Sequence, residues 1–341
     1  MIVCPCFQVC AQKKKHKSVP KLTYQLESQI SLPGNCSYDQ TCIDQDHRKL
    51  YVSHGNTVQV VDLDSLKLTA TLGPFREARS VAVVNEVSRC FITDSKENVV
   101  RVFDTRTFEK LETILITGKA PHSILYDPNS NVLFTFNWGS HNSTVVNPVS
   151  LLEHGTVDLG GNPEIGFSNA NGLVYNTLED RNQLVLIDSK SKKVFQRFAL
   201  TECMVPTALA YDALNEILFI GCRENKALSV LSATSGKQLT TLPIGAGVGT
   251  VVYDPETKLI VAACADGTTT IIKQSAPSKY DIVQTLATPV NSPTFSLDGK
   301  TGKIYLSSAE MNTATNSPLA GTFKIMVYSR RPENFKTLTK R

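Results

Sequence analysis

One short phrase returns seven times along the chain, and no other feature narrows its fold so far. The first half of the phrase is an apolar run ending in small polar residues: Leu50-Tyr51-Val52-Ser53, Cys90-Phe91-Ile92-Thr93, Leu133-Phe134-Thr135, Leu173-Val174-Tyr175-Asn176, Leu218-Phe219-Ile220-Gly221, Leu259-Ile260-Val261-Ala262 and Ile304-Tyr305-Leu306-Ser307. Roughly a dozen residues on, a second apolar run closes on Asp62, Asp104, Asn147, Asp188, Ser232, Lys273 and Tyr328 in turn. The marks fall about 41–44 residues apart, with a final interval of about 55. A period near 40 built from short strands is the mark of a β-propeller, one four-stranded sheet per repeat, so seven phrases predict seven blades.

Each repeat reads strand by strand. In the third, Ser123-Ile124-Leu125-Tyr126 is an inner strand, Asp127-Pro128-Asn129-Ser130-Asn131 a turn, and 132–136 and 144–147 the second and third strands. Pro presets φ in such a turn, while Asp and Asn side chains bond nearby backbone and tolerate left-handed conformations. The turn recurs at Tyr211-Asp212-Ala213-Leu214-Asn215 and Tyr253-Asp254-Pro255-Glu256-Thr257. Strands alternate or run continuously apolar, with β-branched and aromatic residues, and no segment carries a long helical period. The fold class is all-β.

A ring of blades must close. Residues 26–34 read like the outer strand at 237–245, so the N-terminal strand is expected to complete the last blade, pairing edges that would otherwise lie exposed. The competing reading gives that place to 334–339. The expected organisation is a disordered Cys/Lys-rich leader at 1–20, a single propeller over 22–328 and a C-terminal tail at 329–341, with 312–320 a surface loop over one rim. A hydrophobic fraction of 41% supplies ample core, and a net charge of +4 is too mild to argue for nucleic acid. No apolar stretch reaches the roughly 18–20 residues of a transmembrane helix.

The phrases Lys49-Leu50-Tyr51-Val52-Ser53-His54-Gly55, Gly118-Lys119-Ala120-Pro121 with Leu125-Tyr126-Asp127-Pro128, Gly321-Thr322-Phe323 and the run 58–64 carry a resemblance. Over about residues 22–328 the chain resembles the YVTN-type seven-bladed propellers, related in look to surface-layer and quinoprotein-like propellers. That resemblance implies the fold; its relatives are mostly exported and mostly without assigned catalysis. Some propellers of similar look are lactonases or muconate-cyclising enzymes that use funnel residues without an organic cofactor.

The front of the chain departs from an exported pattern. Cys4, Cys6 and Cys10 precede the basic run Lys13-Lys14-Lys15-His16-Lys17, whereas a secretory signal puts charge before its apolar core. The expected location is therefore cytoplasmic, with membrane attachment through acylated cysteines as the minor reading. A zinc site from Cys4, Cys6, Cys10 and His16 does not match the usual ligand separation.

Inner strands begin, and second strands end, on one face of a propeller near its channel. Collecting those positions gives a candidate funnel of His54, Arg79, Asp94, His122, Asn137, Trp138, His141, Glu164, Glu179, Asp180, Arg223, Glu224, Asp266 and Glu310. The densest arc spans the third and fourth blades. His122, His141 and Glu164 are the candidate catalytic groups, imidazoles titrating near neutral pH with a carboxylate to orient them. His54, Asp94, Asn137, Trp138, Glu179, Arg223 and Glu310 are the candidate ligand-binding groups, with Trp138 able to stack on a flat or cationic ligand. The plainer reading of loop-end His, Asn and Glu is that they satisfy backbone groups, and Asp94 and Asp266 read as turn caps. His54, His122 and His141 share a face without metal-ligand spacing, so neither metal nor cofactor is expected.

Cys203 and Cys222 fall at one rim of the fifth blade, within plausible reach of a disulfide, while Cys36, Cys42, Cys90 and Cys264 read as packing residues. There is no phosphate-binding Gly-x-x-x-x-Gly-Lys loop, no Gly-x-Ser-x-Gly elbow and no Trp-Asp dipeptide; Gly245-Ala246-Gly247-Val248-Gly249 reads as a turn between blades. Two function classes remain. One is a binding module presenting its funnel to a small organic ligand or a protein. The other is a cofactor-independent enzyme of small-molecule biosynthesis, lactonase-, cyclase- or lyase-like.

Overall fold

The computed structural model describes residues 22–34, 37–312, 314–315 and 317–332. The expected leader, Cys36 and the alternative closing strand at 334–339 lie outside them. Seven four-stranded antiparallel sheets form the blades of a propeller. Blade 1 runs outward as Tyr38–Asp44, Lys49–His54, Thr57–Asp62 and Lys67–Leu72. The inner strands of blades 2 to 6 are Ala78–Val84, Pro121–Asp127, Pro163–Ser168, Pro206–Asp212 and Val248–Asp254. Gly245-Ala246-Gly247 is thus the turn, and Val248 already opens a strand. The matching second strands are Arg89–Asp94, Val132–Asn137, Leu173–Leu178, Ile217–Cys222 and Leu259–Cys264.

Blade 7 is composite. Phe295–Leu297, Ile304–Ser308 and Lys324–Pro332 come from the end of the chain, and Leu22–Ser31 supplies the outer strand, with Leu26 opposite Tyr328 and Ile30 opposite Ile325. The third strand runs past the expected limit at 328, because Arg330 and Pro332 still pair with Tyr24 and Leu22. The insert in this blade folds as a small hairpin, Met311–Asn312 against Ser317–Pro318.

The recurring polar residue at the end of each second apolar run has a mechanical role. Asp62, Asp104, Asn147 and Asp188 each accept the backbone N–H three residues on, from Ser65, Thr107, Ser150 and Ser191, at 2.6–2.9 Å. The residue after that donor, Leu66, Phe108, Leu151 and Lys192 respectively, adopts φ between 56° and 62°. A side-chain acceptor that fixes a turn entering the left-handed region explains why Asp and Asn recur there.

The apolar core is not central. It is divided into seven clusters, each filled from the facing sheets of two neighbouring blades. Gly166 shows how tight that packing is, since a Cβ there would lie 2.2 Å from Cε2 of Phe136 in blade 3. Cys203 and Cys222 form a disulfide inside the cluster between blades 4 and 5. Cys90 and Cys264 are buried free thiols, and Cys42 packs partly buried beside Cys90. Among the described residues, no helix is long and apolar enough to cross a membrane.

Candidate functional site

In blades 1 to 6 the first residue of the inner strand pairs with the last of the second strand: Tyr38 with His54, Ala78 with Asp94, Pro121 with Asn137, Pro163 with Leu178, Pro206 with Cys222 and Val248 with Cys264. This register makes the next residue of each inner strand equivalent. The set is Asp39, Arg79, His122 and Glu164 in blades 1 to 4, then Thr207 and Gly249 in blades 5 and 6. In blade 7 the place falls to Pro293, as far ahead of the turn aspartate Asp298 as Asp39 is ahead of Asp44. Four neighbouring blades thus carry ionisable groups at one level of the channel, and three carry none.

Those four groups pair among themselves. Arg79 donates to Asp39 Oδ2 at 2.5 Å, with Glu77 3.4 Å from its other nitrogen, and His122 Nε2 lies 3.5 Å from Glu164 Oε2. Burial alone would lower the His122 pKa, but the hydrogen bond and charge of Glu164, with the charge of Asp39, raise it. Burial would raise Glu164, yet His122 and Arg223 hold its carboxyl below the usual glutamate value. Asp39 is raised, because burial outweighs the charges of Arg79 and His122.

A second ring stands above the first, at the first residue after each second strand. In blades 2 to 6 its N–H donates to the carbonyl just ahead of the inner strand: Ser95 to Glu77, Trp138 to Ala120, Glu179 to Asn162, Arg223 to Val205 and Ala265 to Gly247, at 2.9–3.0 Å. Trp138, Glu179 and Arg223 therefore stand side by side. Trp138 Nε1 donates to Glu179 Oε1 at 2.8 Å, and Arg223 lies 3.9 Å from Glu179 Oε2. Burial and the Glu164 carboxylate, which shares a hydrogen bond with it, raise the Glu179 pKa. The two rings meet at that carboxyl pair. Trp138 is 44% exposed, and Met204, whose carbonyl receives the Glu224 N–H, is 50% exposed.

The remaining sequence candidates do not join this cluster. Asn137 is fully buried and satisfied, accepting from Thr135 and donating to Asn142 and Thr144. His141 is an exposed turn residue at φ 55°, its carbonyl receiving the N–H groups of Leu159 and Gly160. Of the three candidate catalytic groups, His122 and Glu164 meet and His141 stands apart. Asp94 is buried and caps the loop before blade 2 through the N–H groups of Arg76 and Glu77, with Arg101 3.3 Å away. Asp266 and Asp180 act likewise on Ala246 and Asn162. His54 is buried against Phe323, ring centroids 4.1 Å apart, and under Gly34, where a Cβ would meet its Cε1 at 2.5 Å. Glu310 is exposed on the blade 7 rim, its N–H bonded to Thr322 Oγ1. Glu224 is exposed beside Arg223. Asp39 was missed by the sequence reading, although its fixed offset from Asp44 matches that of His122 from Asp127.

Among the described residues, no group of three or more His, Cys, Asp or Glu is placed to hold a metal ion.

No protein-family model matches the chain. Antigen Lp49 of Leptospira interrogans serogroup Icterohaemorrhagiae serovar copenhageni (strain Fiocruz L1-130) is 31% identical over 114 residues, 33% of this chain. The match spans 24% of that curated relative's length. Among solved structures, a chain of the Mitotic Checkpoint Complex crystal structure superposes with a TM-score of 0.74 at 15% identity, covering 96% of this chain and 98% of that one. A chain of Kuenenia stuttgartiensis hydrazine synthase gives 0.70 at 15%, covering 93% and 98%. At such identity these likenesses establish the propeller fold alone.

Proposed function

We propose that this protein is a binding module that engages a protein partner over the rim of blades 3 to 5. One observation carries the reading: a single loop position in three successive blades presents Trp138 and Arg223, half-exposed, with the more buried Glu179 joining them. Trp and Arg dominate the energetics of protein interfaces, and here both are held in place from below by the buried Glu164–His122 pair. Met204 adds adaptable apolar surface beside them.

The catalytic reading has less support. Neither Asn137 nor His141 reaches the His122–Glu164 pair, so the sector lacks the further groups that proton transfer to a substrate would use. The kinship with YVTN-type propellers stays part of this proposal, carried by the repeat phrases. A cytoplasmic location fits the Cys203–Cys222 bond badly, since disulfides persist mainly in oxidising compartments; we place the working protein in such a compartment.

The test is site-specific photo-cross-linking. Benzoylphenylalanine in place of Trp138 should trap one protein, and the adduct should vanish when Arg223→Glu is added. The same probe in place of Leu214, an exposed turn residue on the opposite face, should trap nothing. Equal labelling from both positions would remove the rim as the binding face.

A further inference from the structure

We propose that the axial channel is a second, separate site, taking a neutral and largely apolar small molecule that enters from the face opposite the charged mouth. A cavity of about 340 Å³ follows the axis below the charged ring. Its walls are the middle residues of inner strands, chiefly Ile165, Phe167, Leu209, Val251 and Phe295. None of the candidate funnel residues lines it, because those lie at strand ends and the walls are formed by strand middles.

The position of the cavity follows from the charges above it. The Gln40 amide in blade 1 donates to the His122 carbonyl in blade 3 at 3.3 Å, closing the upper end on the side that carries Arg79 and His122. The cavity lies against blades 4 to 7 and blade 1, away from blades 2 and 3, and its lining reaches Gln45 and Leu297 at the far end of the inner strands. Entry is therefore from the opposite face.

The lining also sets the chemistry of the ligand. None of the wall residues carries a charge, so an ion would shed its hydration there without a counter-charge. The uncharged polar side chains of the lining are Gln40, Thr41, Gln45, Thr250, Thr294 and Ser296, and among them Thr41 Oγ1 and Ser296 Oγ form a hydroxyl pair 2.7 Å apart. That pair can donate to or accept from one carbonyl or hydroxyl oxygen. A dry cavity of about 150 Å³ is enough for benzene, and ligand pockets begin near 300 Å³, so a molecule of about two or three fused rings fits.

Neutral N-phenyl-1-naphthylamine and its sulfonated relative 8-anilinonaphthalene-1-sulfonate test this directly in the full chain by fluorescence titration. The neutral probe should bind saturably at a single site, and the sulfonate at least about tenfold more weakly. Thr250→Phe and Ile165→Phe, which fill the channel from two blades, should each weaken the neutral probe by at least about tenfold. Trp138→Ala should leave it unchanged, which separates this site from the rim. Should the filled variants fail to fold, methyl NMR of the unaltered protein decides: the probe must shift Leu209 and Val251. Absence of saturable binding, equal affinity for the sulfonate, indifference of folded filled variants, or shifts confined to other methyls would overturn the proposal.

Discussion

Arg48 of blade 1 donates to Asp298 Oδ1 of blade 7 at 2.8 Å, across the seam between the first and last blades. Asp298 has no exposed side-chain surface, and it also accepts from the Lys300 N–H and the Thr301 hydroxyl. The same device ties other neighbours: Asp44 accepts from Asn85, Asp127 from Ser168 and Asp212 from Gln274. Each of these four turn aspartates thus shapes its own hairpin and anchors the next blade around the ring.

Asp298→Ala removes the acceptor of the turn and one of the two carboxylates of Arg48, which keeps Asp64, so the folded state should lose about 1–3 kcal/mol. Asp298→Asn keeps the turn acceptor and should lose less. Urea unfolding measures both. Equal, small losses would mean that the seam is held by the strand pairing alone.

The repeat was readable because its turns demand one residue type at one place: a short side-chain acceptor that Asp62, Asp104, Asn147 and Asp188 supply in turn. Closure by the N-terminal strand was readable for the same reason, a recurring outer-strand pattern. The site was only half readable. His122 meets Glu164, and Trp138 meets Glu179, across one repeat length, so register alone predicts that these pairs are neighbours. Register does not say where side chains turn. Asn137 shares a strand face with Thr135 and is consumed by bonds within its own sheet, and a left-handed backbone makes His141 a turn residue. A funnel was legible from strand polarity, but the apolar residues that line the channel were not, since they look like any other strand interior.

Tyr24 makes the closing strand testable. Its ring is 2% exposed between blades 6 and 7, its hydroxyl donates to the Gly302 carbonyl at 3.0 Å, and its backbone N–H and carbonyl both bond the Gln284 side chain at 2.8 Å. Tyr24→Phe should cost about 1 kcal/mol for the lost hydrogen bond. Tyr24→Ala should cost about 3–5 kcal/mol for the cavity as well. Losses within experimental error for both would show that the ring stands without its N-terminal strand.

The disulfide gives a contrast within one molecule. Cys203 and Cys222 are 1% and 0% exposed, and their bond closes a loop with a sequence separation of 19. Replacing both by alanine should lower stability by about 2–4 kcal/mol. Burial pushes the Cys42 and Cys264 thiols up to about 12, and Cys90 upward as well, so these three should resist alkylation until the chain unfolds. Mass spectrometry after alkylation under native and denaturing conditions reads both features. Modified Cys203 or Cys222 in the unreduced, denatured protein would remove the bond and, with it, the argument for an oxidising compartment.

The His122–Glu164 pair carries the clearest pH signature. His122 has a folded pKa above 6.5, so its contribution to stability is complete below 6.5 and fades as pH rises through the folded value. Glu164 has a folded pKa below 4.5, so its contribution is complete above 4.5 and is lost as pH falls through the folded value. The pair should therefore stabilise the propeller most between 4.5 and 6.5, the two unperturbed values. Following the His122 ring by NMR isolates the cause. Glu164→Gln removes both the hydrogen bond and the nearest negative charge, leaving burial and Arg79 opposed only by Asp39, so the His122 pKa should fall. Arg79→Gln should move it the other way, because that guanidinium lowers it in the unaltered protein. An unchanged titration in Glu164→Gln would mean that the two side chains do not meet in solution, and the support beneath Glu179 and Trp138 would have to come from elsewhere.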